Sequence, residues 1–207
     1  MKWIIATASM ALCATVVLSS CSSPSAPSTP PAPQASAGTQ TASGEELTLT
    51  EEEVNAAQQA WCDALVEIGR LSEAGEDYRA FANQVLTDAY DYDNGQVFFK
   101  PTLTWGDQTF RKTKAGALAY FVGGDEDFPH DKGFALKPWV AVSYDNGVRG
   151  AKGEVQIHGN IGITMGNVYL TDKEGNEIFV DKTFVFRKTD DGKVRLIVHK
   201  SSLPHNP

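Results

Sequence analysis

Cysteine is scarce in this chain, with three in 207 residues. Cys13 and Cys21 fall near the amino terminus, so Cys62 stands alone in the remainder and no intrachain disulfide is expected, even in an oxidising compartment. The four histidines, His130, His158, His199 and His205, never stand at a short ligand spacing such as H-x-H or H-x-x-x-H. A zinc site needs three or four ligands converging at about 2 Å, and nothing in this spacing supplies them. His130 reads as part of a polar turn, His158 as a strand residue near a turn, and His205 as tail. A glycine-rich phosphate loop, a dinucleotide fingerprint and a nucleophile elbow are also missing. The one glycine pair with a suggestive context, "FVGGDEDF", is followed by Asp125, Glu126 and Asp127, the wrong charge to cradle a phosphate. Positive charge is likewise thin: 18 Lys and Arg against 26 Asp and Glu give a net charge of −8. No basic cluster is dense enough to expect nucleic acid as a partner.

Long apolar runs are confined to residues 1–20, "MKWIIATASMALCATVVLSS", which read as a secretory signal peptide, too short and too weakly flanked for a stable membrane span. It ends at Leu18-Ser19-Ser20-Cys21, the leucine, small, small, cysteine pattern of a bacterial lipobox. Cys21 is therefore expected to be lipidated and to become the first residue of the mature chain, anchoring it to a membrane. Residues 21–45 form the lipidated cysteine and a Ser/Pro/Ala linker, "SSPSAPSTPPAPQASAGTQTASG", with nothing to bury. Ser22 is not the aspartate of an inner-membrane retention signal. The expected place is the bacterial cell envelope, lipid-anchored to the outer membrane and facing the periplasm. Residues 46–207 remain as one domain with ample core material.

The folded part opens with a helix start: Thr50 as N-cap, Glu53 as capping-box partner, and acidic residues in the first turn. Val54, Ala57, Trp61, Leu65 and Ile68 then recur on one face. A second helix follows Gly75, with Tyr78, Phe81, Val85 and Ala89 as its apolar stripe. "GQVFFKP" reads as a short strand ended by Pro101, and "TKAGALAYFVGG" as a short helix or turn closed by glycines. From there the period changes. "GFALKPWVAVSYDNGV" carries an Asn-Gly pair of the hairpin kind, and "GEVQIHGNIGITMGNVYLTDKEGNEIFVDKTFVFRKTDDGKVRLIVHKSS" gives strands separated by turns, an antiparallel meander. Helices followed by a long antiparallel sheet predict an α+β fold with the sheet wrapped over the helices into a cone. This is the layout of the nuclear-transport-factor-2-like superfamily.

The chain ends in "VHKSSLPH", where two hydroxyls and a histidine replace the apolar alternation of a strand. The stretch is either an edge strand running into solvent or the floor of a polar pocket. Alternation puts Ile197, His199 and Ser201 on one face and Val198, Lys200 and Ser202 on the other. Lys200 belongs in water, so the His199 and Ser201 face should turn inward. A buried hydroxyl needs a partner. Thr102, just after "VFFKP", and Tyr120, in "ALAYFVGG", are the candidates, although each can equally be a satisfied core hydroxyl.

In order along the chain, "FFKPT", "AYFVGG", "DKGFALKPW", "MGNVYLTD" and "HKSSLP" resemble the iota-class carbonic anhydrases, over about residues 55–204. The resemblance implies a cone-shaped nuclear-transport-factor-2-like or SnoaL-like fold. It also implies interconversion of carbon dioxide and bicarbonate, in some members without metal, by a threonine, a tyrosine and a serine that bind bicarbonate beside apolar side chains. These fall on Thr102, Tyr120 and either Ser201 or Ser202, with alternation favouring Ser201. The family's terminal motif has consecutive histidines before the two serines, whereas here Lys200 follows His199. That departure weakens zinc ligation and leaves a metal-free site untouched, so no cofactor is expected.

A hydroxyl site of this kind would stabilise the charge that develops on carbon dioxide, and His199 is expected to take the water's proton. The alternative is a non-catalytic ligand-binding or assembly module of the same fold, with a larger apolar cavity and hydroxyls satisfied by backbone. A homodimer is expected through the open sheet face, with Val168, Leu170, Phe184 and Phe186 as the exposed apolar residues.

Overall fold

A computed structural model describes residues 47–149 and 153–205 of the chain. The expected signal peptide, the expected lipidation at Cys21 and the Ser/Pro/Ala linker lie outside the described residues. α1 (Glu51–Ala74) starts where its signature places it. Thr50 accepts from the Glu53 N–H while the Glu53 carboxylate accepts from the Thr50 N–H, and Gly75 ends the helix in the left-handed conformation at φ 69°. Val54, Trp61, Leu65 and Ile68 are all buried, as the spacing predicts.

α2 (Tyr78–Ala89) is capped by the Asp77 side chain, which accepts from Ala80 N–H. Its deepest residues are Ala82 and Leu86, while Tyr78, Phe81, Val85 and Ala89 are only half-buried. The predicted stripe is therefore rotated: α2 packs chiefly against α1 and α3 and points a narrow edge at the core. α3 (Lys114–Val122) is capped by Thr113 and stops at Gly123, φ 62°.

The sheet is β1 (Phe98–Lys100), β2 (Trp139–Asp145), β3 (Gln156–His158), β4 (Ile161–Asp172), β5 (Glu177–Lys188) and β6 (Val194–Ser202). Its order is β1-β6-β5-β4-β2, with β3 also pairing β4. The expected α+β layout, helices over a curved sheet, is the one observed. Two features depart from an antiparallel meander. β1 runs parallel to β6, with Phe99 opposite His199, so the sheet is mixed. Asn146-Gly147 does not close a hairpin between consecutive strands, since β2 and β3 lie one after the other along one edge of β4. There Gly166 must lack a side chain, because a Cβ would sit 1.9 Å from the Asp145 carbonyl oxygen.

A further departure sits in β6. Val185 pairs with Val198 but Phe186 pairs with Leu196, so Ile197 is an extra residue in the ladder, a β-bulge. Leu196 rather than Ile197 shares the buried face with His199 and Ser201. Val168, Leu170, Phe184 and Phe186 are not exposed: all are at 0–1 % and form the core between sheet and helices. Their strands alternate inward at these positions, and the exposed apolar residues on them are Met165, Ile178 and Phe179.

Candidate active site

Thr102 and Ser201 come together at the seam between β1 and β6. The parallel register carries β1 up to Lys100 opposite Lys200; Pro101 then ends the ladder, having no N–H to give, and the next residue turns inward. Ser201 is fully buried and Thr102 is 8 % exposed. Their hydroxyl oxygens are 2.6 Å apart, and each is the other's side-chain partner. Lys100 fixes the seam from outside, donating from Nζ to the carbonyl oxygens of Ser201 and Thr102 at 3.1 and 3.3 Å. Burial, with Lys200 nearby, holds the Lys100 ammonium below its ordinary range.

Ser202 faces the other way. It is half-buried and accepts from the exposed Lys200 Nζ at 2.7 Å. Strand alternation sends it outward, so the structure does not bring Ser202 to the Thr102 and Ser201 hydroxyls.

Tyr120 enters from the last turn of α3. Its ring packs edge-on to Phe99 at 5.7 Å and stacks on Phe134 at 5.6 Å. Its hydroxyl points at Thr102 and the adjoining backbone of Leu103. The approach falls short of hydrogen-bond geometry, and this oxygen is a buried polar atom without a partner among the described residues. Burial pushes the phenol up to about 12, so at neutral pH the group is an O–H donor. Three hydroxyls thus converge on one place beside an aromatic wall. One of them lacks the partner that a buried hydroxyl ordinarily has.

His199 is on the same strand face but lies deeper. It stacks on Phe99 at 4.3 Å and meets Phe184 and Trp61 edge-on at 4.8 and 5.5 Å. Nδ1 is 2.8 Å from the Tyr90 hydroxyl and Nε2 is 3.0 Å from Lys182 Nζ. Trp61 Nε1–H donates to the same Tyr90 oxygen at 2.9 Å. Burial, and then the neighbouring Lys182, hold the imidazole well below its usual range. The expectation that His199 takes the water's proton does not fit this arrangement, because both ring nitrogens are already engaged and the cationic form is disfavoured.

Lys182, Tyr90 and Lys100 were not singled out by sequence reasoning. For Lys182 the signal was present: Val180, Phe184 and Phe186 define the inward phase of β5, and Lys182 shares it. A buried ion pair, Arg111 to Asp131 at 2.9 Å, ties the segment after Thr102 to the loop after α3. Arg111 N–H also donates to the Phe99 carbonyl oxygen. The other histidines are exposed, with His130 against Trp105. Among the described residues no three His, Cys, Asp or Glu side chains are grouped to hold a metal ion.

A groove of about 580 Å³ opens elsewhere, between α1, α2 and the sheet end, lined by Ala57, Phe81, Val85, Phe186, Leu196 and one side of Trp61. A binding module would have the three hydroxyls satisfied by backbone. Here Thr102 and Ser201 face each other and Tyr120 is unsatisfied.

Three comparisons with known proteins bear on the chain's family and fold. Residues 52–203 match the protein family described as metal-independent carbonic anhydrase. The chain is 51 % identical over 159 residues to a metal-independent carbonic anhydrase from Nostoc sp. (strain PCC 7120), spanning 76 % of this chain and 75 % of that one. Its fold is similar to the crystal structure of a cyanobacterial iota-carbonic anhydrase complexed with bicarbonate, at 50 % identity and a TM-score of 0.73, covering 77 % of this chain and 95 % of that one.

Proposed function

The chain belongs to the metal-independent carbonic anhydrases, and from that premise we propose that it interconverts carbon dioxide and bicarbonate at the hydroxyl cluster of Thr102, Ser201 and Tyr120. The observation that carries the assignment to these residues is the unpartnered Tyr120 hydroxyl, buried and aimed at Thr102. An unmade hydrogen bond at a buried O–H costs about 1–3 kcal/mol. A bound bicarbonate oxygen would supply the missing acceptor.

Hydration of carbon dioxide is slow because neutral water is a poor nucleophile and negative charge must develop on the substrate oxygens. Hydroxyl donors already aimed at those oxygens stabilise that charge without reorganising, and the low-dielectric surroundings strengthen each contact. Thr102 and Ser201 serve one edge of the substrate and Tyr120 the other. Phe99 and Phe134, packed on Tyr120, hold the apolar gas against the water. The Lys100 ammonium, fastened to both strands behind the hydroxyls, favours an anion in front of them. His199 acts here as a packed core residue that fixes Phe99, and Ser202 has no part in binding. No metal or other cofactor is assigned, in keeping with the family's description.

Placement of the enzyme follows from the residues outside the described part. Lipid at Cys21 would hold it at the bacterial cell envelope, on the outer membrane facing the periplasm, with residues 21–45 as spacer. A homodimer would use the outer sheet face, where Met165 is 71 % and Phe179 43 % exposed. Hydration by the full chain that persists in a chelator and falls with Ser201→Ala supports this function. An inactive wild type, or an unaffected variant, contradicts it.

A further inference from the structure

Trp61, Tyr90, His199 and Lys182 form a hydrogen-bonded chain whose polarity can be worked out donor by donor. The indole N–H of Trp61 can only donate, so the Tyr90 oxygen accepts from it. The phenol proton of Tyr90 then needs an acceptor, and within this chain of contacts the available one is His199 Nδ1, at 2.8 Å. Tyr90 is 1 % exposed, so water does not offer an alternative. With Nδ1 accepting, the neutral imidazole carries its proton on Nε2. That N–H points at Lys182 Nζ, 3.0 Å away, and a nitrogen can accept it only as an uncharged amine.

The opposite polarity leaves a buried group unsatisfied. If an ammonium at Lys182 donates to Nε2, the imidazole proton sits on Nδ1 and donates to Tyr90. The Tyr90 oxygen then accepts twice, and its own proton has nowhere to go. Against this, the ammonium gains the face of Trp61, 4.7 Å from Nζ. The two polarities are therefore finely balanced, and burial tips the balance to the amine, with the lysine held down at about 7. The charged and titratable groups facing Lys182 are Cys62 from α1, Lys100 from β1 and His199 from β6, with Tyr90 one contact further. Burial pushes the Cys62 thiol up to about 12, so it stays protonated, and Lys100 favours the uncharged amine.

Lys182 is also the cross-strand neighbour of Ser201 in the β5 and β6 ladder. Both side chains are on the buried face, at 3 % and 0 % exposure, where directly opposite residues have Cβ atoms about 4.5–5.5 Å apart. We propose that Lys182 is the internal holder of the reaction's proton: it rests as a neutral amine, receives the proton released in hydration by way of Ser201, and gives up the hydrogen bond from His199 Nε2–H as its lone pair takes that proton. This rests on the carbonic anhydrase reading of the hydroxyl cluster. The step balances: a water O–H bond breaks, a C–O bond forms on carbon dioxide, and an N–H bond forms on Lys182. The products are bicarbonate and an ammonium that later returns its proton to solvent. Lys182 acts through Ser201 and is a positioning residue for the transfer, not a contact of the substrate.

The test uses the full chain with 15N-labelled lysine and histidine. The Lys182 resonance should change from ammonium to amine near pH 7, and His199 should carry its proton on Nε2 above that pH. In parallel, kcat/KM for hydration in wild type should rise with pH through an inflection at the same place. Lys182→Met should lose that inflection, with a rate about 10²-fold lower above it, and Lys182→Arg, charged at all pH values, should be equally impaired. An active wild type whose Lys182 stays charged from about pH 6 to 9, or a folded Lys182→Met that keeps the inflection, overturns this inference alone. A wild type inactive at every pH overturns the carbonic anhydrase reading along with it, and the nitrogen titration then reports only on the amine.

Discussion

The hydroxyls of Thr102 and Ser201 stand 2.6 Å apart although 99 positions separate them in the chain. A parallel pairing of a three-residue strand with the last strand brings them together. This makes the pair a sensitive point for both assembly and chemistry.

Removing either hydroxyl should cost rate more than stability. Thr102→Val keeps the shape of the side chain and Ser201→Ala removes one atom, but each leaves the other buried hydroxyl without its side-chain partner, so each should cost about 1–3 kcal/mol of stability. Loss of one preorganised donor should lower kcat by about 10²–10³. Ser202→Ala, on the outward face, should leave both within about 0.5 kcal/mol and a factor of two. Stopped-flow hydration together with urea unfolding measures all of this; a Ser202→Ala defect as large as that of Ser201→Ala would refute the assigned faces.

Tyr120→Phe separates function from stability most cleanly. The hydroxyl is buried without a partner, so its removal should leave the unfolding free energy unchanged or raise it by about 1 kcal/mol. The same change should lower hydration roughly 10- to 10²-fold, since a donor to the substrate is gone. A variant that loses stability and keeps its rate would make Tyr120 a structural residue only.

His199→Ala should act mainly on the fold. The ring fills space among Phe99, Phe184 and Trp61, and its loss orphans Tyr90 and Lys182. A destabilisation of about 3 kcal/mol is expected. The wild type should also weaken on acidification. The folded imidazole is depressed below its ordinary 6.5, so the unfolded chain binds the extra proton, and stability is lost as pH falls below that value. Chemical unfolding at two pH values checks both statements; a normal stability for His199→Ala contradicts them.

Lys182 gives the complementary pH signature. Its ordinary value is 10.5 and the folded value is about 7. Between these two the unfolded chain binds more protons, so stability rises with pH through that window, and the full cost of burial is present below it. Lys182→Met should therefore be more stable than wild type by on the order of a few kcal/mol at pH 7, with the gain fading as pH approaches 10. A gain independent of pH would show that Lys182 is charged in the folded protein.

Much of this was legible in sequence because local physics wrote it there. The Thr50 and Glu53 capping box fixes the start of α1, and the spacing of Val54, Trp61, Leu65 and Ile68 fixes its buried face. Strand alternation separated Ser201 from Ser202. What escaped depends on contacts between distant segments. The parallel β1 and β6 pairing leaves no local pattern, and the bulge at Ile197 breaks the alternation that placed it beside His199. The burial of Val168, Leu170, Phe184 and Phe186 follows from which face the helices cover, which period alone does not tell. Lys182 was passed over because lysine on a strand reads as solvent-facing, although the phase of Val180 and Phe184 points it inward. Alternation offered Thr102 and Tyr120 as partners for the inward face of Ser201 but left an ordinary core hydroxyl as an equal reading for each; family resemblance chose between the two.

The most direct measurement is stopped-flow carbon dioxide hydration by the full chain, with and without a strong chelator, for wild type and Ser201→Ala. The account predicts a wild-type rate that is the same in both conditions and a variant rate lower by about 10². A wild-type rate abolished by the chelator, or a Ser201→Ala rate equal to wild type, would contradict a metal-free hydroxyl site.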